Sequence, residues 1–167
     1  MSRLFRLCTI FLLGLTLPGC GFHLEEGATV PTLLQGATVE GSGPAGGSLA
    51  EAVRRELERD GNTSSTKGPV IHIDSASISQ RITSISPSSG AALEFLNTLR
   101  ATVSVTRGRT LLLPPQPLFV EHSFTYNSAN PLATTAQQMD NQRQILKEGA
   151  NRILNRIFSV PQVRQHS

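Results

Sequence analysis

Residues 70–106 read VIHIDSASISQRITSISPSSGAALEFLNTLRATVSVT. Ile71 and Ile73 share one parity, and Ala76, Ile78 and Ile82 share the other. Side chains alternate faces along a strand, so a one-residue phase slip near Asp74–Ser75 predicts a bulge in one long strand over 70–86. Pro87–Gly90 supplies a turn. Over 93–106, Leu93, Phe95, Leu99, Ala101, Val103 and Val105 then fall on one face. Glu94, Thr98, Arg100, Thr102, Ser104 and Thr106 fall on the other, and Leu96 and Asn97 alone break the pattern. Two long alternating runs around a short turn predict an antiparallel hairpin with one apolar and one polar face.

The flanking sequence completes the layer. "RGR" at 107–109 reads as a turn and "LLLPPQP" at 111–117 as an apolar connection, including the Leu111–Pro115 loop. Alternation resumes over 118–126 with Leu118, Val120, His122, Phe124 and Tyr126 on one side. Upstream, "ATVEG" at 37–41 reads as a short strand and "GSGPAGG" at 41–47 as a loop. Ser48-Leu49-Ala50-Glu51 fits a capping box, and Leu49, Val53 and Leu57 make a narrow apolar stripe up to Gly61. This predicts a helix of about twelve residues. Asn130-Pro131 fits an N-cap followed by proline at the first helical position. Positions 132, 136, 139, 143, 146, 150, 153 and 157 then advance by four and three, with Arg143 the only polar member. A helix over 132–158 is about 40 Å long, so it must lie across the sheet. The expected fold is α+β, in the order β-α-β-β-β-α, with a mostly antiparallel four-stranded sheet and two helices packed on one face.

The N-terminus reads differently. Arg3 and Arg6 precede an apolar run that ends before Cys20. The run is about a dozen residues, short of the roughly 20 that a spanning helix needs, and fits a secretory signal over 1–19. Leu17-Pro18-Gly19-Cys20 resembles the bacterial lipobox, with proline where a small residue is usual. In that motif the cysteine is acylated and becomes the new N-terminus, which makes Cys20 the expected lipidation site. The other cysteine, Cys8, lies inside the signal, so the processed chain has no internal disulfide. Gly21 follows Cys20; lipoproteins kept at the inner membrane resemble one another in carrying aspartate there, so the expected destination is the outer membrane. Residues 20–36 read as a lipidated tether, 37–161 as a single domain and 162–167 as a short tail.

Of 15 Lys and Arg, Arg3 and Arg6 lie in the signal, which leaves 13 against 12 acids and a net charge of about +1. That balance excludes a general nucleic-acid footprint. Gly41-Ser42-Gly43-Pro44-Ala45-Gly46 is literally G-x-G-x-x-G. A dinucleotide site needs a parallel βαβ repeat, and the hairpins after residue 70 do not continue one. His23, His72, His122 and His166 show no metal-ligand spacing, and no G-x-S-x-G elbow occurs. The Asn62-Thr63-Ser64 sequon has no role behind a lipoprotein signal. No cofactor, metal or catalytic constellation is expected.

"GCGFHL" at 19–24 and "SFTYNSANPLA" at 123–133, in this order of elements, resemble the LptE family of lipopolysaccharide-assembly lipoproteins. The resemblance covers essentially all of the processed chain. It implies a non-enzymatic plug inside the LptD outer-membrane barrel, in a one-to-one complex that inserts lipopolysaccharide into the outer leaflet. It also implies lipopolysaccharide binding, for which lipid A phosphates call for cations. Arg81 and Arg100, on the polar faces of adjacent strands, are the candidate contacts, and Arg107 and Arg109 sit at a turn. The turn "PSSG" at 87–90 carries no basic residue. The alternative reading is a free-standing periplasmic lipoprotein that binds a small amphiphile or scaffolds the envelope.

Overall fold

A computed structural model describes residues 34–126 and 131–159, and the side chains within these from 34–126 and 135–159. The elements are β1 (Thr38–Gly41), α1 (Gly43–Arg59), β2 (Val70–Ile85), β3 (Ala92–Arg107), β4 (Thr110–Thr125) and α2 (Pro131–Phe158). The strands form one open sheet in the order β1-β2-β3-β4. β1 runs parallel to β2, and the other two pairings are antiparallel. The expected β-α-β-β-β-α order and mostly antiparallel sheet are present, and both helices pack on one face.

Register explains the core. Ile71 pairs with Val105 and Ile73 with Val103 across β2 and β3. Leu99 pairs with Val120 and Ala101 with Leu118 across β3 and β4. All eight are buried in one cluster with Leu49, Val53 and Leu57 of α1 and Ile145, Ile153 and Ile157 of α2. Burying such a side chain contributes about 1.5–3 kcal/mol, so these few positions dominate the favourable term. The phase slip in β2 is a bulge: the ladder shifts between Asp74 and Ser77, and Ser75 has a φ of 50°. Beyond it Ile78 faces Leu99, which returns β2's apolar residues to the helix side.

Four expectations need correction. First, α1 begins at Gly43, five residues before the Ser48 capping box, with Pro44 in its first turn. The reason is close packing: a Cβ on Gly41 would lie 2.1 Å from the Gly46 carbonyl oxygen, so only glycine lets the first turn of α1 sit on the end of β1. The G-x-G-x-x-G stretch is thus a packing contact. Second, residues 111–117 are not a connection but half of β4. The strand is outermost, so Pro114, Pro115 and Pro117 cost it no interior ladder bond, and the register shifts where Leu113 and Gln116 flank the proline pair.

Third, the buried stripe of α2 is Asn141, Ile145, Ala150, Ile153, Leu154 and Ile157, whereas Ala136, Met139 and Arg143 are exposed. The 3–4 spacing is in phase from Leu146, which packs against the core half-buried, onward. Further up the helix, the face against the sheet carries Asn141 and Ile145. Gly149 marks the tightest crossing, where a Cβ would come within 2.7 Å of Leu99 and 3.1 Å of Leu49. Fourth, Leu34, read as tether, is buried at 1% exposure in the core. Asn62, the sequon residue, locks this entry: its Oδ1 accepts from Gly36 N–H at 2.9 Å and its Nδ2 donates to the Ala37 carbonyl at 3.0 Å. Cys20, the signal, residues 20–33, the tail and the helix boundaries at Asn130 and Pro161 lie outside the described residues.

Candidate functional site

The two helices leave one face of the sheet open. Even-numbered residues of β3 point there, and β2 and β4 set beside them Ser77, Ser79, Arg81, Phe119, Glu121 and Ser123. The middle of the face is polar, with Leu96 and Phe119 among its apolar members, and exposed Leu111 and Ile85 lie toward its two ends. Thr98, buried at 7%, donates to Glu121 at 3.4 Å. Both candidate arginines are on this face. Arg100 pairs with Ser77 and Phe119, and its guanidinium stacks over the Phe119 ring at 4.6 Å. Arg81 pairs with Leu96. Four residues of β3 separate the two positions, about 13 Å at 3.3 Å per residue. The structure therefore puts them on one surface without converging them: they suit two anionic groups on a long ligand, not one phosphate.

Sequence reasoning missed three features. The first is an aromatic cluster at the free end of the β2–β3 hairpin, on the helix side. Phe95 stacks on Phe124 at 5.3 Å and meets the Tyr126 ring edge-on at 6.0 Å. Ile82 pairs with Phe95 and is 54% exposed, and Leu93, of the same parity as Phe95, is 39% exposed; two register shifts beyond Ile82 carry Ile85, 59% exposed, opposite Ala92 on the open face. The core parity runs on toward the hairpin tip here: Phe124 is buried at 7%, while Ile82 and Leu93 at the rim stay exposed. A count of where α1 ends along β2 was the only available signal.

The second feature is a polar chain, buried at Asn97 and Asn141, that closes the core below this cluster. Gln80 donates to Asn97 Oδ1 at 3.1 Å, and Asn97 donates to Asn141 Oδ1 at 2.6 Å. Asn141 Nδ2 in turn reaches His122 Nδ1 at 2.6 Å and donates to the Ser123 carbonyl at 3.1 Å. Asn97, an apparent break in the alternation, is therefore a cross-link between β3 and α2. Since an amide nitrogen can only donate, His122 Nδ1 accepts and its proton sits on Nε2. The third is a groove between the helices, lined by Arg55, Arg59, Arg143 and Lys147 with Glu56. Arg59 is bound to Glu56 and Arg143 to Asp140, so its surplus charge is Arg55 and Lys147.

His72 bridges strands rather than holding a ligand, with Nε2 2.9 Å from Thr106 Oγ1 and Nδ1 3.4 Å from Glu40. Among the described residues no three His, Cys, Asp or Glu side chains gather as a metal set. No helix among them is long and apolar enough to cross a membrane.

Comparison with known proteins agrees with this geometry. The chain aligns with rare lipoprotein B from Shewanella oneidensis at 17% identity and a TM-score of 0.60, covering 78% of this chain and 98% of that one. An uncharacterized lipoprotein B from Nitrosomonas europaea gives 19% identity and a TM-score of 0.62, covering 80% and 89%. A minor lipoprotein from Acinetobacter baumannii gives 16% and 0.59, covering 74% and 90%. At these identities the likeness establishes the fold. No protein of curated function matches. The profile of the LptE lipopolysaccharide-assembly family matches residues 34–157, from the buried Leu34 to the last core residue of α2, and the chain belongs to that family.

Proposed function

We propose that this protein is an outer-membrane lipoprotein, anchored through acylated Cys20, that plugs and helps assemble the LptD barrel during lipopolysaccharide insertion. The family match over residues 34–157 carries the proposal. The lipobox at 17–20 supports the anchor, because several acyl chains at roughly 0.8 kcal/mol per buried methylene give durable attachment. The open sheet face supports the plug: it presents Ser, Thr and Arg side chains, and the lumen of a large barrel is polar and wet.

In this reading the chain performs no covalent chemistry. It fills the lumen, and Arg81 and Arg100 meet lipid A phosphates at two points along the open face. The hairpin tip, whose exposed Ile82, Ile85 and Leu93 carry no charge, contacts acyl chains. The test is depletion of the protein in its native envelope. Assembled barrel should fall and detergent sensitivity should rise; normal barrel assembly with an intact permeability barrier would refute the proposal.

A further inference from the structure

The two edges of the sheet are treated in opposite ways. On β4, Pro114, Pro115 and Pro117 remove N–H donors. Arg156 donates to the Pro117 carbonyl at 2.6 Å, Arg152 to the Phe119 carbonyl at 3.0 Å, and Asn141 to the Ser123 carbonyl. α2 thus caps three carbonyls that point away from the sheet, and this edge is closed to a further strand.

The other edge is open. β1 ends at Gly41 opposite Ile73, while β2 continues to Ile85. Because Phe119 points its carbonyl outward, its partner Arg100 turns its own backbone toward β2 and bonds Ser77. The alternation then aims the N–H and C=O groups of Ile78, Gln80 and Ile82 away from β3. None of them has a backbone partner among the described residues. The run Ser77–Ile85 holds four β-branched residues at Ile78, Ile82, Thr83 and Ile85, no proline and one charge, Arg81. An uncapped edge of that composition recruits strands.

From this edge we infer that β2 accepts an added strand over Ser77–Ile82, supplied by an extended acidic segment of the barrel partner; the partner's identity rests on the function proposed above. Six residues, about 20 Å, are offered. The incoming strand sets apolar side chains beside Ile78 and the half-exposed Ile82, and an acid beside Arg81. Barrel strands have no free edge, so the segment is an inward-facing loop. A second copy of this chain fits poorly: antiparallel pairing about Gln80 sets two Arg81 side chains on adjacent diagonal positions, about 7–8 Å apart, with no acid between them. Leu34 and Ser159, the limits of the described residues, lie toward the Val70 and Pro117 ends of β2 and β4, away from Ile82.

The test compares Gln80→Pro with Gln80→Leu in the lipidated protein coexpressed with its barrel. Both lose the Gln80–Asn97 bond, but only proline removes the outward N–H. Gln80→Pro should lower recovered complex about tenfold relative to Gln80→Leu. Hydrogen exchange on the wild-type complex should protect the amides of Ile78, Gln80 and Ile82, which exchange quickly in the free protein. Equal recovery of the two variants, or unprotected amides in an intact complex, would overturn the inference while leaving the plug. Protection in the free monomer, or only on self-association, would overturn it in favour of the chain's own ends or a second copy. A wild type that forms no complex would refute the plug and the added strand together.

Discussion

Replacing Asn141 by leucine tests whether the buried amide chain holds the upper half of the fold. Asn141 is 4% exposed and bonds Asn97 of β3 and His122 and Ser123 of β4 directly, and through Asn97 it reaches Gln80 of β2. Leucine is close in volume, so the cavity contribution is small. Three contacts disappear. The Ser123 carbonyl lies on the edge of the sheet and water replaces its donor. His122 is half-buried and recovers in part. Asn97, 5% exposed, keeps Gln80 on its Oδ1 but loses the one acceptor that its Nδ2 has among the described residues. An orphaned buried donor costs about 1–3 kcal/mol, and the partly rehydrated histidine adds less, for a total of about 2–4 kcal/mol. That is a large part of the 5–15 kcal/mol typical of a domain.

Urea titration followed by circular dichroism measures it, with the m-value as a check on two-state behaviour. Asn97→Leu alone should cost a similar amount. The double variant Asn97→Leu/Asn141→Leu should cost less than the sum by about 1–3 kcal/mol, because both ends of one bond then become apolar. Additive losses, or a cost for Asn141→Leu below about 0.5 kcal/mol, would show that the chain of amides contributes nothing specific.

Gly41→Ala forces a Cβ onto the Gly46 backbone, which cannot rotate aside, and should destabilise by about 3 kcal/mol or more in the same titration. Cys20→Ala should abolish the lipid-derived mass seen by mass spectrometry and shift the protein out of the membrane fraction; unchanged fractionation with no lipid on the wild type would refute the anchor. Arg81→Glu/Arg100→Glu should weaken lipopolysaccharide binding, most at low salt, since the Debye length is about 8 Å at physiological ionic strength. Its melt should fall only slightly, because the Arg100–Phe119 stack is worth about 0.5–1 kcal/mol at an exposed site. Equal affinity of both proteins at low and high salt would remove these arginines from the site.

The alternation of β3 and the phase slip at Asp74–Ser75 made the hairpin legible from sequence, since a half-buried strand must keep period two. The prolines of 114–117 hid the first half of β4: proline argues against a strand unless the strand is known to be outermost, which is a property of the whole sheet. Helix α1 hid its start in glycines that read as a loop until their approach to β1 is seen. Asn97 reads as an error of pattern because its partner on α2 is 44 residues away. Arg152 and Arg156 cap carbonyls of β4, a role that depends on the packing of α2 against that edge and has no local signal in the sequence. Arg81 and Arg100 could be placed on one face by parity, but their separation needed the register.

The most direct test of the central claim is the mass of the complex released from membranes in mild detergent through a tag on this chain, measured by native mass spectrometry. We expect one copy of the triacylated chain with one copy of a large β-barrel, LptD. A monodisperse chain with no barrel, or a barrel bound in variable ratio, would contradict the plug.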